Sequence, residues 1–93
     1  MKKFTCTLKS LTYGKQYAAT LIKSPVLGTH LIYQYVHEER TQTKTYTQAD
    51  MLDFTAFDDK TAMFVVERMH KENDSTVREL YQIEDLKEIA KTK

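Results

Sequence analysis

Along residues 3–11 the side chains alternate without a break, Phe4, Cys6 and Leu8 on one side and Thr5, Thr7 and Lys9 on the other. Successive side chains of a strand point to opposite faces, so a period of two marks a half-buried strand and does not suit a helix. The same period recurs through most of the chain. Thr12, Tyr13 and Gly14 offer a turn, and residues 15–23 resume with Tyr17, Thr20, Leu21 and Ile22, which predicts a first hairpin. Pro25 and Gly28 bracket a loop, because proline lacks the ladder donor and glycine tolerates positive φ. Residues 29–38 carry Leu31, Tyr33 and Tyr35 on one face with Ile32 and Val36 on the other, which predicts a strand covered on both sides and central in its sheet.

Beyond Glu38, Glu39 and Arg40 the pattern turns polar: Thr41, Thr43, Thr45 and Thr47 alternate with Gln42, Lys44 and Tyr46. Threonine fits a pleated sheet through its branched Cβ without needing burial, so this strand belongs at an edge. Thr47 followed by Asp50 resembles a helix N-cap and predicts a short helix over residues 48–54, with Met51, Leu52 and Phe54 facing the sheet. Residues 61–70 and 76–83 read as a further hairpin closed by Asn73 and Asp74. Residues 84–91 read as a C-terminal helix with Leu86, Ile89 and Ala90 on one face. The expected fold is therefore α+β and mainly β: an antiparallel sheet of about six strands, open or closed into a small barrel, with one short internal helix and one short C-terminal helix. At 93 residues the chain encloses one core, so residues 1–93 are expected to form one compact domain.

Several function classes lose support on chemistry. Cys6 is the lone cysteine, which leaves no intrachain disulfide and no multi-cysteine zinc site; its place between Phe4 and Leu8 reads as core packing. His30 and His37 are an odd number of residues apart on one predicted strand and project from opposite faces, so they do not read as metal ligands. Neither Gly14 nor Gly28 is placed to make a nucleophile elbow beside Ser10, Ser24 or Ser75, and two isolated glycines do not build a phosphate cradle. Asp58 with Asp59 and Glu84 with Asp85 sit where turns and helix starts commonly carry acids. No catalytic, metal or cofactor site is expected. No run of apolar residues is long enough to span a bilayer and no signal-type block follows Met1, so the expected location is cytoplasmic with no membrane partner.

The charge is +1 overall yet unevenly spread. Residues 1–47 hold seven basic side chains against Glu38 and Glu39, whereas residues 48–93 hold seven against eleven acids. Lys2, Lys3, Lys9, Lys15 and Lys23 have no acid among them in sequence. Tyr13, Tyr17 and Tyr46 lie near lysines, and mixed lysine and tyrosine on a sheet is what single-stranded nucleic acid stacks on and is neutralised by. The threonine strand, through Thr41, Thr43 and Thr45, offers a second kind of surface, an edge to which a partner strand can add. By elimination the leading expectation is a non-catalytic accessory protein that binds another protein through its sheet face or edge, a role that would suit a phage- or plasmid-encoded modulator of a host enzyme. The alternative is a nucleic-acid-binding sheet or small barrel built on the lysines and tyrosines above. The opposite signs of the two halves also allow self-association.

Overall fold

The computed structural model of the chain describes residues 1–69, 72–73 and 75–89. Seven strands follow in order, β1 (Lys2–Ser10), β2 (Lys15–Ser24), β3 (Gly28–His37), β4 (Arg40–Tyr46), β5 (Leu52–Ala56), β6 (Ala62–Met69) and β7 (Thr76–Glu88). They form one antiparallel sheet in the order β4-β3-β2-β1-β7-β6-β5. Two meanders, β1–β4 and β5–β7, are zipped together where the first strand pairs with the last. Among the described residues there is no helix, so the expected α+β class is corrected to all-β, with seven strands instead of about six.

Both predicted helices fail for the same physical reason. Asp85 sits at φ 57° in a bulge where Thr5 faces Lys87 but Thr7 faces Glu84, so β7 holds one residue more than β1 across that step. A bulge shifts the alternation by one residue. Ile83 and Leu86 consequently both reach the core although three residues apart, a spacing that in sequence imitates a helix. β5 repeats the device: Asp53 at φ 53° sits in the register shift between Leu52 and Thr55, and Met51 and Phe54 both turn inward. Of the predicted Thr47 cap only the carboxylate half forms, Asp50 Oδ2 accepting from Thr47 N at 2.9 Å and from its hydroxyl at 3.0 Å, and after that one turn the chain enters β5. Residues 84–88 lie in β7, while Ala90 and Lys91 of the predicted helix fall outside the described residues, as do His70 and Asp74 of the predicted hairpin.

β3 is one strand from the edge and not central; β1 holds the middle position. The threonine strand, β4, is at an edge as its polarity predicts. Between β3 and β4 the turn residues Glu38 and Glu39 both adopt positive φ, 51° and 64°. That conformation matches the twist of a two-residue hairpin but is one that glycine and asparagine adopt more cheaply.

A single sheet has no second layer to bury its apolar face, yet Leu8, Leu21, Leu31, Phe64 and Ile83 are sealed from solvent. The sheet achieves this by curling over itself. Tyr46 on β4 lies 5.5 Å from the ring of Tyr81 on β7 and 6.1 Å from that of Phe64 on β6, although three and four strands separate them along the sheet. Met51, in the β4–β5 connection, plugs the lower end, and Gln48 Oε1 accepts from Thr29 N at 2.9 Å to hold that connection against β3. The curl stops short of closure: no Cα of β4 comes within 8 Å of one on β5 or β6. The small-barrel alternative is thus realised only as an open, curled sheet with two free edges.

Candidate functional site

The upper end of the curled sheet, where the β1–β2 and β3–β4 turns lie, opens into a cleft of about 750 Å3. All six tyrosines of the chain line it: Tyr13, Tyr17, Tyr33, Tyr35, Tyr46 and Tyr81. Register explains the convergence. Ala19 pairs with Tyr33, so Tyr17 and Tyr35, two residues further along each strand, share the inner face. Leu31 pairs with Tyr46, which puts Tyr46, Lys44, Gln42 and Arg40 on the inner face of β4 and Thr41, Thr43 and Thr45 on the outer one.

Three of the six rings form the floor. Tyr33, Tyr46 and Tyr81 are buried, and their hydroxyls form a chain, Tyr33 to Tyr46 at 3.1 Å and Tyr46 to Tyr81 at 3.0 Å. Burial, followed by the hydrogen bond to Tyr46, pushes the Tyr33 and Tyr81 phenols well above their ordinary range. The other three are accessible: Tyr17 and Tyr35 are half-buried and Tyr13 is exposed. Tyr17 lies 4.8 Å and Tyr35 6.0 Å from the ring of Tyr33, so the accessible rings are braced by the buried ones.

At the back of the cleft Glu79 is buried, with its charge fully engaged. Oε1 accepts from Arg68 at 2.6 Å and Oε2 from the buried hydroxyl of Ser10 at 2.9 Å. Desolvating a carboxylate is costly unless it is paired in this way. With Glu79 matched by Arg68, Lys15 and Lys44 are the further cations of the lining, Lys44 also lying within electrostatic reach of Asp50, and Arg40 continues the row above Lys44. Lys44 Nζ sits 5.7 Å from the Tyr46 ring centroid, so it leans over the floor.

The residues singled out from the sequence divide among three places. Tyr13, Tyr17, Tyr46 and Lys15 meet in the cleft. Lys2, Lys3 and Lys23 lie at the other end of the sheet, where Lys2 pairs with Lys23 and Lys23 Nζ stands over Phe4. Lys9 projects from the outer face and is held by Glu84 at 2.9 Å. Thr41, Thr43 and Thr45 are exposed on the outer face of the edge strand. The five lysines therefore do not form one platform. In strand order the two charge halves are separate, β1–β4 and β5–β7, and they join at the β1–β7 pair, where Lys9 and Glu84 bridge them; the curl brings them together again across the cleft.

Sequence reading missed Tyr33, Tyr35, Tyr81, Lys44, Arg68 and Glu79 as site residues. The signal was present in the alternation: Ala62, Phe64, Val66 and then Arg68, and Ile83, Tyr81 and then Glu79, each put one charge on an otherwise apolar face. Two opposite charges on the inner faces of neighbouring strands are candidates for a pair. Cys6 is buried with its Sγ 3.7 Å from the Ala19 carbonyl, and burial pushes its thiol up to about 11. Asp58 accepts from Lys60 N, Thr61 N and the Thr61 hydroxyl, the work of a turn residue. Among the described residues no three His, Cys, Asp or Glu side chains gather to hold a metal ion, and no helix is long and apolar enough to cross a membrane.

No protein-family model matches the chain, and no curated protein or solved structure matches it. The functional reading accordingly rests on the geometry of the cleft.

Proposed function

We propose that the chain is a non-catalytic binding protein whose ligand is another protein and whose working surface is the tyrosine cleft. The convergence of all six tyrosines on one cleft supports this reading most. Tyrosine supplies a large, stiff, amphipathic contact at low entropic cost, and rings braced from below lose little further freedom on binding. The competing nucleic-acid reading needs a continuous track of cations for the phosphates. Lys2, Lys3, Lys9 and Lys23 lie away from the cleft, which favours the protein ligand.

The test is affinity capture from lysate of the source cell, with and without nuclease treatment, using the wild-type chain and a Tyr17→Ser, Tyr35→Ser variant as parallel baits. A protein retained by the first and lost with the second is the expected result. Equal retention by both baits removes the cleft from the function. Retention that disappears with nuclease, or robust turnover of a small substrate by the pure chain, overturns the reading itself.

A further inference from the structure

Among the described residues, the cleft is bordered by two strand edges that have no partner. β4 pairs with β3 on one side, and its other edge, Arg40–Tyr46, is free. β5 is short and reaches only to Val65 of β6, so residues 66–69 of β6 are paired with β7 alone. Register places both free edges at the cleft end. Arg40 lies opposite His37 beside the β3–β4 turn, and Met69 lies opposite Thr76 beside the β6–β7 turn. The two edges stay more than 8 Å apart at their Cα atoms. Adjacent strands in a sheet lie about 4.8 Å apart, so edges held beyond 8 Å are not paired with each other and the β4 edge is left open.

The walls of this seam carry more cations than carboxylates. The inner row of β4 is Arg40, Gln42, Lys44 and Tyr46; Lys15 and Arg68 stand across the cleft. Its lining holds one carboxylate, Glu79, already bound by Arg68 and Ser10. A basic strand would bring its cations against Lys44 and Arg40, and an apolar one would leave them desolvated without partners. An acidic strand is complemented by both.

Building on the protein-binding reading, we infer that the occupant of the seam is an extended, acidic segment of the partner, which adds as a strand to the free edge of β4. Its backbone takes up the unpaired amides and carbonyls of β4. Alternate side chains point inward over Tyr17 and Tyr35, with carboxylates beside Lys44 and Lys15. The intervening side chains point outward, level with Thr41, Thr43 and Thr45. The contact covers the length of β4, so about seven residues of partner suffice, close to 23 Å of extended chain. Affinity comes from the main-chain bonds and the tyrosine floor, and specificity from the acidic alternation.

A displayed library of random twelve-residue peptides, panned on the full-length chain, tests this directly. The expected winners carry Asp or Glu at alternating positions. One winner, made synthetically, should slow amide exchange across β4. Its affinity should fall about tenfold with Lys44→Glu, in a variant that still unfolds cooperatively. Lys15→Glu should give a similar loss, and methylating the peptide's backbone nitrogens along one edge should abolish binding. Winners without acidic alternation, unchanged β4 exchange, or no enrichment at all overturn the inference. If the lysate capture succeeds while β4 exchange stays unchanged, the cleft is still the binding surface and strand addition is wrong. A random single-stranded oligonucleotide that displaces the peptide replaces it with a nucleic-acid ligand, and a concentration-dependent dimer that protects β4 by itself replaces it with a second copy.

Discussion

Tyr46→Phe removes one oxygen atom from the middle of the buried phenol chain and should destabilise the fold more than the same change at Tyr33. The Tyr46 hydroxyl bonds Tyr33 at 3.1 Å and Tyr81 at 3.0 Å, and the residue is 5% exposed, so water does not readily replace it. A typical buried hydrogen bond contributes about 1 kcal/mol net, which puts Tyr46→Phe at about 2 kcal/mol and Tyr33→Phe, which loses one bond, at about 1 kcal/mol. The double variant loses the same two bonds as Tyr46→Phe alone. It should therefore also cost about 2 kcal/mol and show a coupling of about 1 kcal/mol instead of additivity. Urea unfolding of the four proteins, with a common m-value, reads these differences, and the melting temperature of Tyr46→Phe should drop by roughly 8–16 °C. Equal costs for the two single variants, or strict additivity, would refute the shared chain and mean that these hydroxyls are satisfied by water in the cleft.

Three further outcomes follow from the fold. Glu39→Gly relieves a positive φ of 64° in the β3–β4 turn and should raise stability by about 0.5–1 kcal/mol in urea titration; a loss would mean that the turn is not strained. Gly28→Ala should be destabilising, because at φ 78° the new Cβ meets the side chain of Gln48, whose oxygen holds Thr29; a neutral melt would show that Gln48 swings away freely. The third concerns alkaline pH. The folded Cys6 thiol is raised from its ordinary 9.0 to about 11, so above pH 9 the unfolded chain loses that proton first and stability falls, by about 2–3 kcal/mol up to pH 11. The raised Tyr33 and Tyr81 phenols act in the same direction from about pH 10 upward. Cys6→Ala should flatten the first part of that fall, seen as urea midpoints measured between pH 8 and pH 11; an unchanged slope would place the thiol in contact with solvent.

Local alternation was enough to establish most strands and the threonine edge, because a period of two is a property of each strand by itself. The Thr47–Asp50 cap was legible for the same reason, its hydrogen bonds spanning three residues. The two predicted helices were not helices because Met51 with Phe54 and Ile83 with Leu86 reach the core through bulges, and a bulge exists only relative to the neighbouring strand that lacks the extra residue. The cleft was illegible for a related reason. Sequence put Tyr13, Tyr17 and Tyr46 beside lysines, but whether Lys15 or Lys23 shares their end depends on strand register. Tyr33, Tyr81, Arg68 and Glu79 meet Tyr46 only because the sheet curls. Within a strand free of bulges the sequence by itself determined which side chains share a face; the bulges, the pairing of β1 with β7 and the curl decided which of them are buried and which meet, since those distances are set between strands far apart in the chain.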